Sequence, residues 1–165
     1  YEALVARFGG PATAEELSQR HFRLVCQLLE EYRVGPMPGL EEALSALRRR
    51  GIPFGVVSSS WRWYVERCLR ELDMYEDAAV IVTGSDGLPL KPAPAPYQAA
   101  ARVFRPAPPG AVLAVEDSGS GVRSAVAAGL ACAAVYNPDS GAQDLSPARW
   151  RLNSLYELPA LLDGN

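Results

Sequence analysis

The chain has 165 residues, 48% of them apolar and 21% charged, with a formal net charge of −3; this is the composition of one compact domain with room for a small appendage. The mildly acidic balance, with no basic run longer than Arg48–Arg50, argues against nucleic acid as a partner. No apolar run reaches membrane-spanning length, and the opening "YEALVARFGG" lacks the shape of a signal peptide.

Residues 1–34 read as helices. In "TAEELSQRHFRLVCQLLEEY" Thr13 stands as an N-cap with Glu16 three places on, a capping box. Apolar residues then recur near helical spacing at Leu17, Leu24, Val25 and Leu28. The single histidine, His21, reads as a helix-face residue, and a Ser-His-Asp triad would hang on it alone. Tyr1 stands inside an amphipathic segment, so a natural start further upstream is expected. "VGPMPG", Val34–Gly39, is a boundary signal, dividing the chain into 1–35 and 36–165.

After the boundary, helices and strands alternate. "LEEALSALRRRG" is a helix stopped by Gly51, "PFGVV" a strand, "SSSWRWYVERCLRELDM" a turn and helix, and "AAVIV" a strand. The Pro-rich loop "TGSDGLPLKPAPAP" leads to the helix "YQAAARVF" and the loop "PAPPG". "AVLAVE" is a strand, "GVRSAVAAG" a helix, "ACAAVY" a strand, and the tail a loop with a last short helix, "SLYELPALL". This order predicts an α/β fold, a parallel sheet with helices on both faces. Cys26, Cys68 and Cys132 are odd in number and scattered. They read as free thiols in a reducing compartment, hence a cytoplasmic protein.

Ligands of such a sheet bind outside the carboxyl ends of its strands. That rule selects Ser58–Ser60 after "PFGVV", Lys91 in the loop after "AAVIV", and the adjacent acids Glu116 and Asp117 ending "AVLAVE". Each alone has a plain reading: a helix cap, a solvent-facing lysine, acids complementing a helix dipole. Together they offer a divalent cation on the acids. Beside it, a lysine, a hydroxyl and the N–H groups at the helix start near Ser59 would bind an anion such as phosphate. Competing motifs are poorer. "GSGVRS" has Ser124 where a dinucleotide fingerprint needs its third glycine, and no phosphate-binding P-loop is present.

The ordered set "GVVSSS", "KPAPAPY" and "LAVEDSGSGVRSAVAAG" resembles motifs II, III and IV of the haloacid dehalogenase-like (HAD) hydrolases, in the phosphoglycolate phosphatase and β-phosphoglucomutase-like branch. The resemblance covers about Pro38 to Leu162 and implies a Rossmann-like core, with residues 1–35 the remainder of a helical cap. It further implies that Ser58 bonds the transferring phosphoryl group and that Lys91 pairs with that group and with a nucleophile carboxylate. Glu116 and Asp117 would hold Mg²⁺, directly or through water. Ser59 and Arg62 would help bind phosphate or substrate. The implied reaction is hydrolysis of a small phosphorylated metabolite through a phospho-aspartate. Trp61, where mutases of the branch commonly carry a polar residue, favours hydrolase over phosphomutase, and the acidic pair speaks against a metal-free dehalogenase.

Two departures shape the expectations. Ala95 replaces a motif III aspartate, which bears on a helix cap. More seriously, no Asp-x-Asp occurs in the chain. The family's motif I strand, with its nucleophile, would lie between the strands ending at Ser58 and Glu116. The expectation is therefore a core lacking that strand, inert alone, with the nucleophile on an upstream segment. The other reading is a degenerate, non-catalytic module that binds a phosphorylated ligand or a protein.

Overall fold

A computed structural model describes residues 1–32, 35–107 and 111–163. The chain divides into two compact units, Tyr1–Gly35 and Pro36–Asn165. In the first, α1 (Glu2–Phe8) and α2 (Ala14–Glu31) form a helical pair. The capping box forms as the sequence predicts: Glu16 N–H donates to Thr13 Oγ1 at 3.2 Å, and Thr13 N–H donates to Glu16 Oε2 at 2.7 Å. His21 is exposed on α2 and touches the Tyr1 hydroxyl. Phe22, Leu24 and Leu28 of the same helix are exposed.

The second unit runs α3 (Leu40–Arg50), β1 (Phe54–Val57), α4 (Arg62–Glu71), β2 (Ala78–Val82), α5 (Ala95–Ala101), β3 (Leu113–Glu116), α6 (Gly119–Ala127), β4 (Ala131–Val135), β5 (Trp150–Leu152) and α7 (Leu158–Asp163). It is an α/β fold with parallel strands. Alternate side chains of β4 enter different cores, because successive residues of a strand point to opposite faces. Cys132 and Ala134 join Tyr97, Ala114, Val122 and Ala125. Ala133 and Val135 join Ala43, Leu152, Leu155 and Leu158. Both faces of β4 are thus covered, which explains why "ACAAV" reads as an unbroken apolar run. The hydrophobic pattern does not announce β5. Three residues with an exposed Arg151 in the middle are too short to display period-two alternation.

The described strands make two sheets. β1 pairs only with β2, and β3 pairs with β4, which pairs with β5. The break falls between the strand leading to Ser58 and the strand ending at Glu116. A cavity of about 900 Å³ is lined by all of β1 and all of β3 together with apolar residues such as Leu44, Phe104 and Leu158. Among the described residues, each of these two strands therefore keeps a row of backbone N–H and C=O groups without a ladder partner.

Candidate active site

Lys91 lies in the loop after β2, and its side chain is only 8% exposed. Its ammonium donates to Val57 O, at the end of β1, at 2.9 Å, and to Glu116 Oε1, at the end of β3. One side chain thus ties the carboxyl ends of strands from the two separate sheets. Glu116 is 8% exposed and carries two further donors. The Tyr97 hydroxyl reaches Oε1 at 2.6 Å and the Ser118 hydroxyl reaches Oε2 at 3.1 Å. Burial, and next the Glu116 charge, push the Tyr97 phenol far above its ordinary range, so it remains a donor. Lys91 also stands 5.0 Å from the centre of the Tyr97 ring, a favourable place for a cation.

The backbone of α6 permits this arrangement. Ser118 caps the helix by accepting from Gly121 N–H at 3.1 Å. The Glu116 carboxylate lies directly over Gly121, where a Cβ would fall within 3.0 Å of the carboxyl carbon and both oxygens. Ser124 Oγ donates to Ala93 O at 2.6 Å and fastens the Lys91 loop to the same helix.

Asp117 is half-buried and turns the other way. Its Oδ2 accepts from Asn137 Nδ2 at 2.7 Å and from Ser140 Oγ at 2.8 Å. No donor among the described residues reaches Oδ1.

Ser58 and Ser59 open the loop after β1. Ser58 Oγ accepts from Ser60 N–H at 3.1 Å, and Ser59 is exposed. This loop is clasped to the one after β2. Gly84 N–H donates to Ser60 O at 2.9 Å, and a Cβ at Gly84 would strike Ser59 O, so the close approach requires glycine. Arg62 completes the clasp. Its backbone N–H donates to Ser85 Oγ at 3.1 Å and its guanidinium to both Asp86 oxygens at 2.7 and 2.9 Å, with Glu66 at 3.3 Å. Burial acts to raise the Asp86 carboxyl, but the bonds from Arg62 and Thr83 outweigh it and hold it below its usual range.

Ser58, Ser59, Lys91, Glu116 and Asp117 all line the cavity. Arg62 is not among the lining residues; it is committed to Asp86 and Glu66. Tyr97, Ser118, Asn137 and Ser140 were not legible as site residues. Tyr97 sits in an apolar helix pattern, and Asn137 and Ser140 sit in a loop of ordinary turn composition. The available signal was position, since Asn137 follows β4 at the same carboxyl edge.

Among the described residues no group of three or more His, Cys, Asp or Glu side chains converges. A hard cation that keeps several waters and uses one or two carboxylates plus substrate oxygens nevertheless suits what is present. A carboxylate offers about four acceptor positions. On Glu116 three are taken, leaving one on Oε2; on Asp117 both positions of Oδ1 remain. Among the described residues no helix is long and apolar enough to cross a membrane.

The haloacid dehalogenase-like hydrolase family matches residues 3–129. The chain is 32% identical over 165 residues to YhcW of Bacillus subtilis (strain 168), covering 99% of this chain and 74% of that protein. It is 31% identical over 121 residues to validoxylamine A 7′-phosphate phosphatase of Streptomyces hygroscopicus subsp. limoneus, covering 68% of this chain and 56% of that protein. A solved structure of CbbY from Rhodobacter sphaeroides in complex with phosphate has a TM-score of 0.80 and 26% identity, over 93% of this chain and 72% of that one. The chain therefore spans 56–74% of the length of these relatives. On the extent of the family match and the identity to YhcW, the chain belongs to the haloacid dehalogenase-like hydrolase family.

Proposed function

We propose that this chain is the larger part of a Mg²⁺-dependent phosphatase acting on a small phosphorylated metabolite. Residues 1–35 are the remainder of a helical cap, and residues 36–165 are a core awaiting one central strand. The observation that carries the reading is the buried Lys91–Glu116 pair in the lining of the cavity between β1 and β3. The phosphate-bound CbbY structure and the phosphatase among the relatives lend it support.

The chain's own residues divide the work. An ammonium has three N–H donors; Val57 O and Glu116 take two from Lys91, and the third is available to a phosphoryl oxygen. The Ser58 hydroxyl accepts from Ser60 but donates to none of the described residues, so its proton is available as well. Glu116, held by three donors, keeps the Lys91 ammonium in place. Asp117 Oδ1 is the carboxylate oxygen left for the metal. When bound, Mg²⁺ supplies Lewis-acid stabilisation of charge on the phosphoryl oxygens. The attacking carboxylate is an aspartate outside these 165 residues, on the strand that fills the cavity. Its oxygen bonds to phosphorus as the ester P–O bond breaks, and the departing alkoxide takes a proton from the second aspartate of the same Asp-x-Asp segment; that aspartate then takes a proton from the water that attacks phosphorus, releasing phosphate and restoring both carboxyl groups.

The test is phosphate release from a panel of phosphate esters, by the chain alone and by the chain mixed with an apolar peptide ending in Asp-x-Asp. The expected result is Mg²⁺-dependent, EDTA-sensitive turnover only in the mixture, abolished by Asp117→Asn. A folded mixture that binds inorganic phosphate without turnover would establish the non-catalytic module instead. Robust turnover by the chain alone would overturn the external nucleophile, and Asp86, Asp139 and Asp144 would be the first to mutate.

A further inference from the structure

The loop following β4 is bonded to the site more tightly than a tail connection requires. Asn137 and Ser140 both donate to the same oxygen of Asp117, at 2.7 and 2.8 Å. The Asn137 amide is held in its orientation because its Oδ1 accepts from Asp139 N–H at 3.0 Å, which leaves Nδ2 for Asp117. Ser140 is held too: its carbonyl accepts from Gln143 Nε2 at 2.7 Å, and Gln143 Oε1 accepts from Gly119 N–H at 2.9 Å, at the start of α6. Gly119 leaves no room between that helix and the loop, since a Cβ there would approach Asp144 O to 2.9 Å. The loop is therefore fastened both to Asp117 and, two residues further on, to Gly119.

Two donors on one oxygen fill its two lone pairs and fix the rotation of the carboxylate. We infer that Asn137 and Ser140 are positioning residues that limit Asp117 to single-oxygen coordination, and so set the site's preference for a small octahedral cation over a larger one. Ca²⁺ takes six to eight oxygens and accepts bidentate carboxylates, whereas Mg²⁺ demands near-ideal octahedral geometry. A carboxylate with one oxygen already satisfied serves Mg²⁺ fully and deprives Ca²⁺ of a ligand. Partners in the shell outside a metal's ligands alter its affinity by about 10–100-fold when removed.

This inference rests on the metal reading proposed above, and the experiment separates the two. Mn²⁺ binding to the 165-residue chain is followed by electron paramagnetic resonance in the presence of inorganic phosphate, with Mg²⁺ and Ca²⁺ as competitors. The proteins compared are the unaltered chain, Asp117→Asn, Asn137→Ala/Ser140→Ala, Ser140→Ala and Ser140→Thr. The inference expects the double variant to lose the Mg²⁺-over-Ca²⁺ preference by about tenfold or more. Ser140→Ala should lose part of it and Ser140→Thr, which keeps the hydroxyl, should restore it. Mn²⁺ binding that Asp117→Asn leaves intact would overturn the metal reading and this inference together. Binding that depends on Asp117 but keeps its Mg²⁺/Ca²⁺ ratio in the double variant would overturn the inference alone. If the double variant fails to fold, the Ser140 pair decides by the same ratio.

Discussion

Gly121→Ala sets two rules against each other. Gly121 is the third residue of α6, and helix propensity alone predicts that alanine there stabilises the protein by about 1 kcal/mol. The structure predicts the reverse. The new methyl would sit within 3.0 Å of the Glu116 carboxyl carbon and both its oxygens. A flexible carboxylate would swing aside at little cost, but this one is held by Lys91, Tyr97 and Ser118. Each hydrogen bond to a charged group contributes about 1.5–3 kcal/mol. Losing two of the three and gaining the helix term gives a net loss of about 2–5 kcal/mol, a large share of the ~5–15 kcal/mol typical of a domain. Urea denaturation followed by tryptophan fluorescence measures it in the right place, because Trp61, Trp63 and Trp150 all lie in the Pro36–Asn165 unit. The companion variant Glu116→Ala removes the obstacle, so Gly121→Ala added to it should cost little or turn favourable, a coupling that a double-mutant cycle reads directly. A Gly121→Ala protein as stable as the parent, or more so, would refute the tethered-carboxylate argument.

Other expectations follow the same geometry. Lys91→Met leaves Glu116 buried without its cation; stability should fall by about 3–5 kcal/mol and kcat of the strand-complemented protein by about 10²-fold or more, and a loss of stability with unchanged kcat would confine the lysine to the fold. An apolar peptide able to pair with β1 and β3 should raise the Tm and solubility of the chain by strand addition, while a scrambled peptide should not; equal effects from both would sink the open-slot reading. Burial, and next the Glu116 charge, push the Cys132 thiol up to about 11 from 9.0. Unfolding therefore releases a proton between those values, and stability should fall as pH rises from about 9 to 11. Cys132→Ala should flatten that decline in denaturation curves at successive pH, and an unchanged slope would contradict the buried thiol.

The periodic elements and the carboxyl-edge rule were readable because burial and turn chemistry act locally. "AVLAVE" could be read as a buried strand and its acids as site residues with no knowledge of their neighbours. What the residues hold on to was not readable in the same way. Arg62 invites a phosphate-binding assignment by its place after Ser58–Ser60, yet Asp86, twenty-four positions away, takes its guanidinium. Glu116 and Asp117 look equivalent in sequence but differ in the lone pairs left open, because their donors come from four separate segments: the loop after β2, α5, the turn after β3 and the loop after β4. β5 escaped notice because a strand of three residues depends on the neighbour it pairs with rather than on its own pattern.

The clasp between the loops after β1 and β2 bears on how this fold accommodates changes of length. The segment leaving β2 is pinned at its start, where Thr83 and Arg62 hold Asp86 and Gly84 presses on Ser59. It is pinned again where Lys91 enters the site and Ala93 accepts from Ser124. Between these anchors Gly87 faces open space, and Pro89 and Leu90 are exposed. The arch is free to lengthen there without disturbing either end. Residues 87–90 are accordingly the natural place in this loop for an inserted epitope or reporter group, whereas one added residue at Gly84 would pull the Ser58 loop out of register with Lys91.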